Sequence, residues 1–212
     1  MFKENKFKIL ISSIITILPM LFGFVIWNKL PEKIATHWGP DGNPDGYSSK
    51  LFAVIGLPII ILAVHWLCLA ITSLDPKNKD QNSKVFGLAF WICPAISLVC
   101  SATIYITAIK GEFNVGGVTI LLLGIIFIAI GNYLPKCKQN YTIGIKIPWT
   151  LNDEENWNAT HRFAGKVSVI GGVILLPLAL LPIDFLSVIL IPVLAIALAP
   201  MIYSYRYYKK HK

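Results

Sequence analysis

The chain has 212 residues, of which 55% are hydrophobic and only 14% are charged, and its formal net charge is +8. Soluble domains carry about 25% charged residues, so this composition excludes an ordinary soluble domain and indicates a membrane protein. In a membrane protein, positive charge serves orientation and attraction to anionic lipid, and we therefore expect no direct binding of nucleic acid.

Six apolar stretches divide the chain, and a helix needs roughly 20 residues to cross a bilayer core of about 30 Å. The predicted spans are residues 9–28, 51–74, 85–109, 118–134, 163–181 and 185–205. Most of the 19 Lys and Arg residues lie in connections on the same side as both termini, and such an excess marks the cytoplasmic side. The sequence predicts an all-α membrane protein with six transmembrane helices, N-in and C-in, forming a single polytopic domain over residues 1–212.

The longest outer connection, residues 29–50, follows the first span and is rich in turn-forming residues. Asp41-Gly42 and Asp45-Gly46 are turn signals, so we expect a compact loop with His37, Asp41 and Asp45 within reach of one another. Spacings of four residues outside a helix match no metal motif, so we expect no metal site.

This loop is also where an extracellular ligand is expected to bind, because it is the largest outer segment. Trp38 and Tyr47 have a second interpretation as anchors at the membrane interface. The predicted ligand-binding residues are His37, Trp38, Asp41, Asp45, Tyr47 and Lys50.

The spans contain few ionisable residues, and His65 in the second span is the clearest. An ionisable group inside the membrane is a functional candidate by default. A neutral histidine can equally be satisfied by one hydrogen bond between helices, and both interpretations stay open.

The cytoplasmic segment, residues 135–162, precedes the fifth span. Asn152 followed by three acidic residues is a helix start, so we expect a helix from about residue 153 that continues into that span. Trp157 and His161 are four residues apart and share a helix face. The segment either lies along the lipid headgroups or forms a docking surface for a cytoplasmic partner. The predicted docking residues are Asn132, Asn140, Lys146, Trp149, Trp157, His161 and Arg162.

Two motifs in these loops resemble the SdpI family of bacterial membrane immunity proteins. The first comprises Leu30-Pro31, His37-Trp38, Gly42, Asp45 and Ser49-Lys50. The second comprises Gly131-Asn132, Pro135, Asn140, Gly144-Ile145, Pro148-Trp149-Thr150-Leu151, Trp157, His161-Arg162 and Gly165. The resemblance covers essentially the whole chain, with an N-terminal family domain at 1–74 and an SdpI-type region at 118–205. The chain departs from the family at Lys146-Ile147, where Arg-Thr is usual, and it thereby loses the bidentate hydrogen bonding of arginine.

The resemblance implies a multi-pass protein of the bacterial cell membrane that is not an enzyme and needs no cofactor. The family's namesake protects a cell from a secreted peptide toxin and signals by holding an autorepressor at the membrane. The implied partners are membrane lipid, a secreted peptide toxin at the outer face and a cytoplasmic transcriptional repressor at the inner face. The alternative is a small transporter or exporter of a peptide or lipid-like compound.

Overall fold

The structure of the chain is a computed structural model that describes residues 5–80, 83–111, 113–181 and 185–211. Helices and one β-hairpin make up its regular elements. They are α1 (Lys6–Val25), β1 (Lys33–Trp38), β2 (Pro44–Ser49), α2 (Leu57–Leu74), α3 (Ser83–Lys110), α4 (Val115–Tyr133), α5 (Pro148–Leu151), α6 (Glu154–Leu178) and α7 (Phe185–Lys210).

Six helical segments of the described residues are long and apolar enough to cross a membrane. They are Lys6–Val25, Phe52–Leu74, Phe86–Lys110, Val115–Lys136, Glu154–Leu178 and Leu186–Lys210. This result confirms the predicted six-helix membrane fold. Large apolar side chains remain exposed along these helices, for example Leu67 at 58% and Ile191 at 74%, as expected for surfaces that face lipid.

The start of α6 also agrees with the prediction. Asp153 is the N-cap, and its carboxylate accepts hydrogen bonds from the backbone N–H groups of Glu155 and Asn156. Acidic residues in the first turn of a helix interact favourably with the positive end of its dipole. The helix then runs without interruption into the fifth span, so the predicted helix from about residue 153 and the span are one element.

A two-stranded antiparallel hairpin, β1–β2, occupies the connection between the first two spans and was not foreseen. Only one of the two turn signals forms a turn, in which the N–H of Gly42 bonds to the carbonyl of Gly39 and Gly42 has φ 77°. The other signal, at Gly46, lies within β2 beside an irregularity of the register. A Cβ on Gly46 would lie 2.8 Å from the Cβ of His37, so glycine here permits close strand pairing instead of a turn.

A π-helical turn, Phe52–Gly56, connects the hairpin to α2. Pro58 has no N–H with which to bond the carbonyl of Val54, four residues earlier, as an α-helix requires. The wider turn bonds five residues ahead, and the N–H of Leu57 donates to the carbonyl of Phe52. Such single π turns are a common way to relieve a local break in the helical bonding pattern.

The chain forms two compact units, and each has its own packing. The first unit comprises Met1–Ala70 and Ala89–Val118, and the second comprises Ile71–Leu88 and Thr119–Lys212. In the first unit the base of the hairpin joins the helices in one apolar cluster, made of Ile26, Leu30, Ile34, Ala53, Val54, Ile104 and Tyr105. The hairpin is therefore fixed to the helices at its base.

In the second unit, two pairs of glycines allow α4 and α6 to cross closely. A Cβ on Gly131 would lie 2.7 Å from the carbonyl oxygen of Gly165, and a Cβ on Gly172 would lie 2.6 Å from that of Gly124. The two pairs are about two helical turns apart, so the backbones stay in contact over that length. Small residues are the usual means of bringing membrane helices together.

Candidate functional sites

The hairpin carries exposed polar and aromatic side chains. Nδ1 of His37 lies 2.5 Å from Oδ1 of Asp45, and these side chains are 73% and 53% exposed. Tyr47 on β2 is 59% exposed. Three of the predicted ligand-binding residues thus lie on an accessible surface that combines an aromatic ring with a hydrogen-bonded His–Asp pair.

Asp41 closes the tip of the hairpin. Its carboxylate accepts hydrogen bonds from the side-chain amide of Asn43 at 2.8 Å and from the backbone N–H of the same residue at 3.1 Å. These bonds hold the pKa of Asp41 below its ordinary value, so the tip keeps its negative charge at lower pH than a free aspartate would. Within the described residues, no group of three His, Cys, Asp or Glu side chains is placed to hold a metal ion.

Lys50 lies at the base of the hairpin, which corrects its predicted place in the ligand surface, and Trp38 packs there with part of its side chain. Lys50 is only 7% exposed, and its ammonium lies 2.8 Å from the carboxylate of Glu32 and 5.1 Å from the ring centre of Trp27. Trp38 is half-buried against the apolar cluster at the base of the hairpin. Lys50 therefore anchors the hairpin and its ammonium is not free for a ligand, while the buried part of Trp38 contributes to the same anchor.

Residues 137–147 of the second unit form a compact loop, here called the Asn140 loop. Asn140 is fully buried. Its Oδ1 accepts from the backbone N–H groups of Thr142 at 2.9 Å and Ile143 at 2.6 Å, and its Nδ2 donates to the carbonyls of Lys138 and Ile143. The side chain thus uses both ends of its amide to shape its own loop.

His161 and Trp157 of α6 hold this loop in place through hydrogen bonds to its backbone. The N–H of Ile145 donates to Nε2 of His161 at 3.0 Å, so Nε2 carries no proton and Nδ1 donates to the carbonyl of Trp157 at 2.8 Å. The Trp157 indole donates to the carbonyl of Cys137, and its ring stacks on His161 with centres 4.0 Å apart. These bonds fix His161 as a neutral, buried imidazole.

Asp75, just after α2, connects the Asn140 loop to the end of that helix. The sequence analysis did not identify this residue. Its carboxylate is 6% exposed and accepts from the N–H of Tyr141 at 2.7 Å, the hydroxyl of Thr142 at 3.1 Å and the N–H of Lys77 at 3.0 Å. Several donors offset the loss of hydration of a buried carboxylate. The available signal was an acidic residue placed directly between an apolar span and Pro76.

Burial divides the predicted docking residues into two groups. Asn140, Trp157 and His161 are at most 1% exposed and are engaged in the bonds just described. They hold the loop together and cannot face a partner, which corrects the predicted docking set. Asn132, Lys146 and Arg162 are exposed, and Trp149 is half-buried.

Trp149 lines a cleft of about 640 Å³, here called the Trp149 cleft. Its walls are Pro148, Trp149, Asn152, Asp153, Glu154, Tyr208 and His211. The Trp149 ring lies 5.1 Å from that of Tyr205 and 6.2 Å from that of Tyr208. The cleft therefore joins aromatic faces to two carboxylates, a combination suited to a segment that carries a basic side chain.

His65 belongs to a buried polar network in the first unit. Its Nε2 lies 2.9 Å from the hydroxyl of Ser12. That hydroxyl lies 3.0 Å from the carbonyl of Ile9, to which it donates, so His65 is the donor to Ser12. This hydrogen bond between α1 and α2 favours the interpretation that His65 is a structural residue whose side chain bonds to a neighbouring helix.

Comparisons with known proteins place these features in context. A profile of the SdpI/YfhL protein family matches residues 136–204, and a profile of a domain of unknown function (DUF1648) matches residues 14–62. Immunity protein SdpI from Bacillus subtilis (strain 168) is 31% identical over 205 residues, which is 96% of this chain and 97% of that protein. No solved structure matches the chain significantly. The range 14–62 contains the hairpin, and the range 136–204 contains the Asn140 loop.

Proposed function

The chain belongs to the SdpI/YfhL protein family, and we propose that this multi-pass membrane protein is an immunity protein that protects its cell from a secreted antimicrobial peptide. The observation that carries the proposal is the match to an immunity protein over nearly the full length of both chains. The proposed role is one of binding and not of catalysis.

The hairpin is the proposed contact with the peptide. In the predicted N-in orientation it lies outside the cell, where a secreted peptide arrives. Tyr47 offers an exposed ring, and the pair His37 and Asp45 offers exposed hydrogen-bonding atoms. Binding surfaces are commonly built around an aromatic anchor with polar groups beside it.

Survival of a toxin-sensitive bacterium tests the immunity proposal. Cells that express the chain and cells with an empty vector are challenged with a secreted antimicrobial peptide that kills the empty-vector strain. Protection at verified membrane expression is the expected result. Killing of both strains at equal peptide concentrations would contradict immunity to that peptide.

The double variant His37→Ala, Tyr47→Ala is expected to lose protection. It removes exposed groups only, and truncating a central aromatic contact costs about 2 kcal/mol or more, which weakens binding by roughly 30-fold. Tyr141→Ala is the matched control, because that tyrosine is similarly exposed at 54% but lies in the Asn140 loop. The survival curve of the double variant should shift toward the empty vector, whereas Tyr141→Ala should protect like the parent.

We further propose that the Trp149 cleft holds the cytoplasmic autorepressor. In the predicted orientation the cleft faces the cytoplasm, and its aromatic rings and carboxylates suit a basic segment of a DNA-binding protein. Coupling to the toxin requires that the toxin bind two states of the chain with different affinities.

Trp149→Ala is expected to release the repressor from the membrane while protection from the toxin remains. The change removes the indole ring from the cleft, while the neighbouring rings of Tyr205 and Tyr208 remain. Repressor in the membrane fraction is measured by immunoblot in toxin-treated cells. Trp91→Ala, which truncates an indole 43% exposed on α3, is the control. Undiminished retention with Trp149→Ala would move the docking surface elsewhere.

A further inference from the structure

An apolar groove runs along α1 and α3 in the first unit, at the end of these helices nearest the hairpin. Its volume is about 700 Å³, within the usual range for small-ligand sites. Apolar side chains line it together with one charged residue, including Leu21, Phe22, Val25, Leu98, Ile109 and Lys110. We propose that this groove is a binding site for one anionic phospholipid, with an acyl chain along the groove and the phosphate at Lys110.

The groove exists because α1 and α3 meet closely beside it. Gly23 lets the Tyr105 ring approach, since a Cβ there would lie 2.7 Å from the tyrosine oxygen and 2.6 Å from Val54. The Tyr105 hydroxyl donates to the carbonyl of Pro19 at 3.1 Å. The one hydroxyl of the lining is thus satisfied within the protein, so that apart from Lys110 at its end the wall offers an acyl chain a surface without an unpaired donor.

The length of the groove fits one leaflet of a bilayer. Its lining on α3 extends from Leu98 to Lys110, which at about 1.5 Å per residue is roughly 18 Å. One leaflet is half of a hydrocarbon core of about 30 Å, so its thickness is similar to the length of the groove. An acyl chain laid along this wall therefore ends near the level where headgroups begin.

The surroundings of a membrane protein determine what fills such a groove. Leu18, Phe22 and Val25 are 45%, 56% and 81% exposed, and on a spanning helix these surfaces face lipid and not water. Burying each further CH₂ group is favourable, so an acyl chain is the natural occupant.

Lys110 supplies the selectivity for an anionic headgroup. It is exposed at the end of α3, and within the described residues it makes no ion pair or hydrogen bond. An ammonium beside an apolar groove complements a phosphate on an acyl chain, and long basic side chains at helix ends reach toward headgroups. This proposal does not depend on immunity.

Native mass spectrometry of the full chain in mild detergent tests the site with equal amounts of phosphatidylglycerol and phosphatidylcholine of the same chain length. The parent is expected to retain one phosphatidylglycerol with a preference of about tenfold. Lys110→Gln should lose that preference, and Ala102→Phe, which fills the groove, should lose both lipids.

Matched controls separate the site from general lipid association. Lys29→Gln removes an exposed cation near the same end of α1, and Ala95→Phe adds a ring on α3 outside the groove. Both should behave like the parent. Equal retention of the two lipids by the parent, or unchanged retention by Ala102→Phe, would overturn the proposal. So would displacement of the lipid by an apolar helical peptide offered at the same concentration, since the groove would then be a peptide site.

Discussion

Gly172→Ala is expected to disrupt the packing of α4 on α6 and to lower the stability of the second unit. The added Cβ would lie 2.6 Å from the carbonyl oxygen of Gly124, which is backbone and cannot rotate away. Overpacking a tight contact typically costs about 1–3 kcal/mol, and here the relief is separation of two helices. The measurement is the midpoint of thermal unfolding in detergent, followed by tryptophan fluorescence.

Gly171→Ala is the control for that experiment, one position away on the same helix. Its Cβ would approach only the ends of the Ile196 and Pro192 side chains, at 3.3 Å or more. It should unfold like the parent or slightly later, because alanine favours a helix by about 1 kcal/mol over glycine. Equal midpoints for the two variants would contradict the close crossing.

Gly144→Ala is expected to open the Asn140 loop. Gly144 has φ 115°, a conformation that an alanine adopts at a cost of about 1–3 kcal/mol. Its Cβ would also clash with Nε2 of His161 and lie 3.1 Å from the Trp157 ring. The N–H of Ile145 would then lose its acceptor. Trypsin should therefore cleave after Lys138 or Lys146 in permeabilised vesicles at concentrations that leave the parent intact.

Gly111→Ala is the control that separates the cost of a positive φ from the cost of a clash with the added Cβ. Gly111 also has a positive φ, 82°, but nothing lies within 4 Å of the position that its Cβ would take. The control should therefore show a small loss of stability and no cleavage in the Asn140 loop. A parent-like digestion pattern for Gly144→Ala would show that His161 does not depend on glycine at this position.

The membrane architecture could be predicted because it follows from local sequence. Span length and hydropathy are properties of continuous segments, and six spans result from them. The start of α6 is equally local, since Asp153 caps the helix that it begins. The shared face of Trp157 and His161 follows from helix periodicity alone, and the two rings indeed stack.

The features that escaped prediction depend on partners far along the chain. The side chain of Asn140 looks like a polar surface group until His161 and Asp75 are seen to hold its loop. The paired glycines of α4 and α6 recur seven residues apart in each helix, but their pairing is visible only when the helices are placed side by side. Exposure of a functional residue is therefore harder to predict than its position on an element.

Binding of the peptide to the purified chain tests the central claim most directly. Three proteins are reconstituted into lipid nanodiscs and titrated with the fluorescently labelled peptide. They are the parent, the double variant His37→Ala with Tyr47→Ala, and the control Tyr141→Ala. Saturable binding by the parent and by Tyr141→Ala, weakened roughly 30-fold in the double variant, is the predicted result. Equal binding by all three proteins, or no binding by the parent, would contradict immunity through the hairpin.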